Sequence, residues 1–552
     1  MNQNLKVLLL TIAGLIAAIA VAITVYVNSF DTPPADDFTW APAAPVVNEA
    51  VTFSVTAPRE GVTYTWDQTA DGVADGTGTT FQFTFQSPGT KETSLYADGV
   101  LAKTHNPVVT TGPVEPPPPP PPGPGGEYHV GPGQTYAKIG DVPWMTLQPG
   151  DSVQVHYRPE PYHEKILIAC QGAEAARIRF VGLPGPNGEK PIIDATGATT
   201  SSQFAIGFRP IEDVYGPILV YHTVSDFNQY AKFVDIDGFD IRGPGTGGTT
   251  YTAFDGTTRT YLEHVSGIYL GHYEGIRILN CEVQNCANGI FGSGNQMNLN
   301  LLLEGNYFHG NGLANSSQCH NTYIECGGTV YRNNRYGRHR PLSGGGQLKD
   351  RGDTALVEGN RFEGGARCVD LGTAEASSAW MRDRPGYPNT TVRHNTFELL
   401  LGDGAQIMFV EGKTDTAGNT QRVEFTRNTV ICYRNFGAPT GACTIAACWS
   451  EYTPKAIIVA DHNLIWVSRV SDPGYANYCD WTSQGQRVEC GPNILPTWWR
   501  PSYSPPSAEM VGVENLIPLG ANETMPDPGF VDFANGDYRL LPTSQYFGFG
   551  AP

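Results

Sequence analysis

Short apolar stretches alternate with glycine- and asparagine-rich turns from about residue 127 to the C-terminus. One phrase recurs there: an asparagine followed two places later by an apolar or aromatic residue. Its asparagines are Asn306, Asn334, Asn360, Asn395, Asn428 and Asn463. The spacings of 28, 26, 35, 33 and 35 residues are typical of a solenoid, in which each repeat buries its apolar face against its neighbours.

The recurring asparagine predicts a ladder, because its amide can bond to the amide of the next rung. The apolar residue two places later should point inward. Periods near 26 residues suit a three-sided coil, and the longer later rungs should form protruding loops. The sequence therefore predicts an all-β fold, a right-handed parallel β-helix over residues 127–552.

This pattern resembles the pectate-lyase-like superfamily of right-handed parallel β-helix proteins. The segments at the two ends of the region are also similar to that superfamily: His129-Val-Gly-Pro-Gly-Gln-Thr-Tyr near the start and Asp527-Pro-Gly-Phe-Val-Asp-Phe near the end. The resemblance implies a carbohydrate-active protein. The pectate lyase signature around its calcium aspartates is missing, as is the aspartate trio with Gly-His-Gly of polygalacturonase-type hydrolases, so the resemblance alone does not fix the activity.

Residues 33–112 alternate as half-buried strands do, which predicts an N-terminal β-sandwich. This segment resembles a PKD or other immunoglobulin-like module through Asn48-Glu-Ala-Val-Thr-Phe and Tyr64-Thr-Trp-Asp. It departs from the usual PKD motif, since Trp66-Asp-Gln-Thr-Ala-Asp-Gly stands in its place. Such modules act as spacers or bind glycans. Residues 113–126, PVEPPPPPPPGPGG, form a linker that should be extended over its proline run.

Residues 7–27 carry no charge and follow Lys6. A helix of that length spans about 30 Å, enough to cross a bilayer. Residues 1–30 are therefore expected to be one transmembrane anchor that places the remainder outside the cytoplasm, in the cell envelope. The alternative is a cleaved signal and a secreted protein.

The formal net charge of −19 disfavours nucleic acid as a partner. It does not exclude an anionic polysaccharide, since a cleft can carry the opposite sign. The eleven cysteines include the closely spaced pairs 281/286, 319/326, 443/448 and 479/490, which favour disulfides in an oxidising compartment. Buried thiols stacked inside the coil are the alternative.

Aligning one strand across successive rungs predicts a candidate site. Ile324, Leu348 and Ile407 fall inside the coil in this alignment. The opposite phase puts Tyr323, Lys349 and Asp370 outside, and it also exposes Asn321, Glu325, Gln347 and Arg351. A one-residue slip in register would exchange the two sets. Eight of the 35 Lys and Arg residues lie between Arg332 and Arg367, which predicts a local positive patch.

These residues suit β-elimination of a uronate polysaccharide, which needs a neutralised carboxylate, a base and a proton donor. The predicted catalytic residues are Lys349, Arg351, Tyr323 and His320. The predicted substrate-binding residues are Arg338, Arg340, Asn321 and Gln347. Asp350, Asp353 and Asp370 are candidate Ca²⁺ ligands. A surface ladder of ion pairs is the alternative for Lys349 and Arg351.

A polysaccharide lyase is the favoured function, ahead of a glycoside hydrolase or an epimerase. The alternative from a different class is a non-catalytic, surface-anchored protein that binds glycan or adheres to a partner, with the coil as a stiff rod.

Overall fold

The computed structural model describes two parts of the chain. Residues 36–109 are described with gaps at 44, 46, 48–49, 69–73 and 86–88. Residues 125–552 are described with gaps at 202–203, 205–214, 223–227, 246, 295–297, 385, 400–405, 433–442, 448–455, 468–478, 483–484, 503–505 and 520–525. The predicted anchor and most of the predicted linker lie outside the described residues. No helix within the described parts is both long enough and apolar enough to cross a membrane.

The chain divides into two units, Met1–Pro121 and Pro122–Pro552. The first unit contains small antiparallel sheets, as the alternating pattern predicts. They comprise β1 (Phe38–Ala41), β2 (Ala50–Val55) and β5 (Thr80–Thr84); β3 (Tyr64–Asp67), β4 (Gly76–Thr77), β7 (Thr93–Ala97) and β8 (Val100–His105); and the pair β6 (Gly89–Thr90) and β9 (Val108–Val109). They enclose a shared core that includes Phe53, Trp66 and Leu95. The PKD identity stays a prediction.

The second unit has three long parallel sheets, which confirms the predicted parallel β-helix. Sheet I contains β10 (Glu127–Val130), β11 (Ser152–His156), β13 (Ile178–Leu183), β18 (Val234–Asp237), β24 (Arg277–Leu279), β27 (Leu299–Glu304), β30 (Gly327–Arg332), β33 (Ala355–Glu358), β36 (Asn389–Arg393), β39 (Arg422–Thr426), β42 (Ile457–Asp461), β45 (Arg487–Cys490) and β48 (Glu509–Val511), with β17 (Ala231–Lys232) and β23 (Tyr273–Glu274) beside them.

Sheet II is the second of the three long sheets. It contains β12 (Glu164–Ile168), β15 (Thr199–Thr200), β16 (Tyr215–Val220), β20 (Thr250–Thr252), β21 (Thr258–Thr260), β22 (Ser266–Leu270), β26 (Asn288–Gly292), β29 (Thr322–Ile324), β32 (Gly346–Asp350), β35 (Arg367–Leu371), β38 (Gln406–Val410), β41 (Cys443–Ala447), β44 (Cys479–Thr482) and β47 (Trp499–Ser502).

Sheet III closes the coil. It contains β14 (Ile192–Asp194), β19 (Asp240–Arg242), β25 (Glu282–Gln284), β28 (Tyr307–His309), β31 (Arg335–Tyr336), β34 (Arg361–Glu363), β37 (Thr396–Leu399), β40 (Thr429–Cys432), β43 (Leu464–Val467), β46 (Asn493–Pro496) and β49 (Leu516–Leu519). Short 3₁₀ helices span Ile139–Asp141, Trp144–Thr146, Ala376–Asp383, Val513–Asn515 and Phe533–Asn535.

The predicted asparagine ladder forms at the corner between sheets I and III. Asn334 shows the pattern: its backbone N–H and its Nδ2 both donate to Oδ1 of Asn360, at 2.9 and 3.0 Å. The same bonds continue along the coil from Asn306 to Asn493. The residue before each ladder asparagine from Asn306 to Asn463 has a positive φ, as at Gly359 (68°) and Asn333 (52°). That left-handed conformation makes the sharp turn and favours glycine and asparagine.

The coil interior contains one continuous cluster of apolar side chains. The aromatic rings two places after the ladder asparagines stack on one another, with centroids 4.8 Å apart for Tyr336 and Phe362 and 4.9 Å apart for Phe362 and Phe397. These distances equal the spacing between strands, so the repeat predicted from the sequence also sets the packing.

The predicted disulfides are not supported by the described residues. Nine cysteines are buried thiols, and eight of them belong to the main core cluster: Cys170, Cys281, Cys286, Cys326, Cys368, Cys432, Cys479 and Cys490. Cys319 packs in a small separate cluster. The thiols act as small apolar side chains in the coil, which was the alternative interpretation of their spacing.

The C-terminal segment covers the outer face of sheet III. Its antiparallel strands β50 (Phe530–Asp532) and β51 (Asp537–Leu540) place Phe530 and Tyr538 against Ile431 and Leu464. This contact buries outward apolar side chains that would otherwise face water.

Replacing Asn360 by alanine should lower the free energy of unfolding by on the order of 3 kcal/mol, because buried donors and acceptors on the neighbouring rungs lose their partners. The affected groups include Nδ2 of Asn334 and the carbonyl of Tyr331. Urea unfolding followed by circular dichroism measures the change. Asn187→Ala is the matched control, because the Asn187 side chain bonds only locally, to exposed Glu189. An equal loss in both variants would contradict a structural role for the ladder.

Candidate functional site

Sheet II places three predicted site residues in one outward column. Tyr323 on β29 pairs in register with Lys349 on β32, and Lys349 pairs with Asp370 on β35. The next residue in the column is Phe409 on β38. Ile324 and Leu348 point into the core, as predicted. The alignment of rungs made from the sequence is therefore confirmed for Tyr323, Lys349 and Asp370. On β38 it was one residue off, because Met408 rather than Ile407 lies beside Val369.

A second column lies at the turn that ends these strands. Backbone hydrogen bonds align Glu325, Arg351, Gly372 and Glu411 on successive rungs. Gly372 has no side chain to occupy the column, and the position of a Cβ there would lie 3.0 Å from Cγ of Arg351. Arg351 uses this space to reach the Thr373 carbonyl, to which an Nη donates at 2.6 Å.

The loop after β35 adds a residue that the sequence did not predict. The Tyr323 hydroxyl donates to Oε1 of Glu375 at 3.0 Å, and Nε of Arg351 lies 3.6 Å from the same oxygen. The Glu375 backbone N–H donates to Oε1 of Glu325 at 2.6 Å. Only a structure reveals this contact, because Glu375 comes from a loop insertion outside the repeat.

Asp370 and Glu325 are buried carboxyl groups at this site. Asp370 Oδ2 lies 3.7 Å from Nζ of Lys349 and 3.1 Å from an Nη of Arg367. Burial raises the pKa of Asp370 above its usual range, although both cations act in the opposite direction. Burial likewise raises the pKa of Glu325, and the Glu375 carboxylate adds to that effect.

Arg351 and Tyr323 keep their protons. Burial works against the charged form of Arg351, but the neighbouring acidic groups Tyr323, Glu411 and Glu375 raise its pKa. For Tyr323, burial raises the pKa of the hydroxyl. The Glu375 carboxylate raises it further, and the Arg351 cation acts in the opposite direction. Arg351 is therefore suited to hold an anion, and Tyr323 is suited to donate a proton.

His320 lies beside this group but is not placed as a base. Its Nδ1 accepts the Gly346 backbone N–H at 2.9 Å, and only 1% of the residue is exposed. Burial, reinforced by Lys349, holds the pKa of His320 well below its usual range. The ring is thus neutral with its proton on Nε2, so it can donate a hydrogen bond and cannot accept a proton there.

The expectation that Asn321 and Gln347 face the substrate is wrong. Both side chains are fully buried. Nδ2 of Asn321 donates to Oε1 of Gln347, and Nε2 of Gln347 donates to the Gly364 carbonyl at 2.8 Å. They form a second buried polar ladder at the corner where the chain enters sheet II. Strand alternation fails at this corner, because the backbone bends there.

The three predicted calcium ligands do not fit a calcium site. Asp350 points into the coil, where it accepts the Tyr331 hydroxyl at 2.8 Å and lies 3.6 Å from Nζ of buried Lys413. Asp353 pairs with Arg384, and Asp370 with the two cations described above. Nowhere in the described parts of the chain do three or more acidic, histidine or cysteine side chains gather in a way that could hold a metal.

The predicted positive patch is dispersed over the three faces of the coil. Arg332 pairs with Glu358 on sheet I, and Arg335 pairs with Glu363 on sheet III. Arg340, in the segment that leads into sheet II, bonds to Asn285 at 2.6 Å. Arg338 belongs to the same segment and is exposed. Of the eight cations, only Lys349, Arg351 and Arg367 reach the site formed by Tyr323, Asp370 and Glu375.

Fold and site together define a parallel β-helix protein with a charged and aromatic cluster on one sheet. No family model and no curated protein matches the chain. Four solved chains are similar to it, and two of them are described here. One is an alginate lyase from Paenibacillus sp. str. FPU-7, at 12% identity and a TM-score of 0.31, covering 57% of this chain and 89% of that one. The other is a Yersinia enterocolitica family 28 exopolygalacturonase, at 11% identity and a TM-score of 0.31, covering 88% and 97%.

Stability should fall as the pH drops from about 6.5 to about 4. Burial lowers the pKa of His339, beside His320, from 6.5 to about 4. The stabilising contribution of the neutral ring is complete above the unfolded-state pKa and is lost as the pH falls toward the folded-state pKa. The shift corresponds to at most about 3 kcal/mol.

His339→Leu should remove this part of the pH dependence, since neither ring nitrogen has a hydrogen-bond partner to lose. Urea midpoints at several pH values measure it, with His163→Gln at an exposed position as the control. An unchanged slope in the His339 variant would contradict the assignment.

Proposed function

We propose that this chain is a carbohydrate-active β-helix protein that cleaves an acidic, uronate-containing polysaccharide by β-elimination on the outer face of sheet II. The observation that carries the proposal is the in-register placement of Tyr323 and Lys349 beside the charged Arg351. A cation, an amine and a phenol on adjacent rungs match the three chemical requirements of the reaction.

Each residue has a role in this reaction. Arg351 binds the uronate carboxylate, which makes the proton on the adjacent carbon more acidic. Lys349 is the base that takes up that proton. The bond from the neighbouring carbon to the glycosidic oxygen breaks as the double bond forms, and the Tyr323 hydroxyl gives its proton to the leaving oxygen. The side chains of Lys349 and Arg351 both lie over the Tyr323 ring, at 5.4 and 5.9 Å from its centroid.

Aromatic residues extend the same column away from the site. The ring centroids of Tyr269 and Phe291 lie 5.5 Å apart, and those of Phe291 and Tyr323 lie 5.0 Å apart. All three residues are partly exposed. This apolar surface, one ring per rung, supports binding of a polymer that runs along the coil axis.

Hydrolysis is the second candidate function, because the site also holds two neighbouring carboxyl groups in unlike environments. Glu325 is buried with a raised pKa, whereas the Glu375 side chain is 49% exposed. A protonated acid and an ionised carboxylate are the pair that glycoside hydrolysis requires.

A body outside the cytoplasm is part of the proposal, since a polymeric substrate is met there. The N-terminal segment would act as its membrane anchor or, if cleaved, as its secretion signal.

The test is incubation of the full chain with pectate, alginate, hyaluronan, heparin and chondroitin, with and without Ca²⁺. We expect ultraviolet absorbance from an unsaturated uronate to rise on one polymer. New reducing ends without that absorbance would indicate hydrolysis. Absence of both signals on every polymer would overturn the catalytic proposal. It would favour a non-catalytic glycan-binding protein, in which the ion pairs at Asp370 and Glu375 are structural.

Lys349→Ala should lower the rate on the active polymer at least about 100-fold, the usual contribution of a general base. Lys232→Ala is the matched control, because Lys232 lies 3.6 Å from Glu274 in a similar ion pair away from the site. Equal rates for wild type and the Lys349 variant would remove Lys349 from the mechanism.

A further inference from the structure

We propose that the Glu375 carboxylate occupies the position of the substrate carboxylate in the ligand-free protein and is displaced when a uronate binds. This inference rests on the proposed function and names the subsite at which the substrate carboxylate is recognised. Glu375 would thereby act as an internal competitor that sets the affinity of the site.

The contacts of Glu375 are those that a bound uronate needs. Its Oε1 accepts the Tyr323 hydroxyl at 3.0 Å and lies 3.6 Å from Nε of Arg351. Tyr323 and Arg351 are the residues assigned to the leaving oxygen and to the substrate carboxylate. A uronate cannot reach both of them while the Glu375 side chain stays in place.

The contact between Arg351 and Glu375 is loose. The 3.6 Å separation is too long for a hydrogen bond, and Nε of Arg351 is buried without a hydrogen-bond partner. A free carboxylate can approach more closely than one tethered to the loop, and it can satisfy this donor. Because a buried unpaired donor is unfavourable, its satisfaction favours exchange of the tethered carboxylate for the ligand.

The backbone is fixed while the side chain is able to move. The Glu375 N–H is held by Glu325, and the Thr373 N–H just before it donates to Oε2 of Glu411 at 2.8 Å. In contrast, 49% of the Glu375 side chain is exposed. Rotation of the side chain alone therefore opens the subsite, with no rearrangement of the loop.

Exchange of the Glu375 carboxylate for a substrate carboxylate also keeps the number of negative charges beside Arg351 unchanged. Three cations, Lys349, Arg351 and Arg367, meet four carboxyl groups, which are Asp370, Glu325, Glu375 and Glu411. Moving the Glu375 charge toward solvent leaves room for one incoming carboxylate without adding a negative charge beside Arg351.

Glu375→Gln is the test, measured by isothermal titration of the full chain with trimers of galacturonate, guluronate, mannuronate and glucuronate. We expect the variant to bind the preferred trimer about two- to five-fold more tightly, the range for removing one exposed ion pair. Binding of the methyl-esterified trimer, which has no charge, should not change. Arg351→Gln should abolish the gain.

Glu363→Gln is the matched control. Glu363 also pairs with arginines, at 2.7 Å from Arg335 and 3.3 Å from Arg361, but it lies on sheet III. Its replacement should leave trimer affinity unchanged. Thermal unfolding of each variant checks that the fold is intact.

Weaker or equal binding by the Glu375 variant would overturn the inference, as would absence of binding to all four trimers in both proteins. Tighter binding to the variant without any unsaturated product would sustain the inference and overturn elimination. Elimination by the wild type with unchanged trimer affinity in the variant would sustain the proposed function and overturn the inference.

Discussion

The buried corner between sheets I and III imposes the constraint on which the rest of the structure depends. Backbone N–H groups and carbonyls at a buried turn need hydrogen-bond partners, because water cannot reach them. The asparagine ladder supplies those partners, since each amide accepts from one rung and donates to another. One residue type repeated at one turn position thus fixes the start of every strand that follows it.

Fixed strand starts give the site its geometry. Tyr323, Lys349 and Asp370 are separated by 26 and 21 residues in sequence, yet the register sets them side by side. Their strands contribute only a backbone and an outward direction, so chemistry at this face is determined by single side chains. At Gly372 the missing side chain has the effect. Because that position in the column is empty, the Arg351 side chain can cross to the next rung.

The features that repeat from rung to rung could be predicted from the sequence, and those that occur once could not. The ladder, the coil and the outward phase of Tyr323 and Lys349 follow from periodicity, and the structure agrees. Asn321 and Gln347 were misplaced because alternation along a strand fails at a bent corner, where both side chains turn inward. The basic cluster was misread because successive residues of one rung face three directions. Glu375 was missed because it comes from the loop after β35, outside the repeated phrase.

The charge at the site bears on how an acidic body can receive an acidic polymer. With every group ionised, the three cations are outnumbered by four carboxylates. Burial opposes this excess of negative charge, because it raises the pKa of both Asp370 and Glu325. Each of them therefore favours a proton more than an exposed carboxyl group does. Every proton taken up there leaves Lys349, Arg351 and Arg367 less compensated and more attractive to an anion. The same burial that costs free energy in the ligand-free protein therefore reduces the excess of negative charge at the site, within a chain of net charge −19.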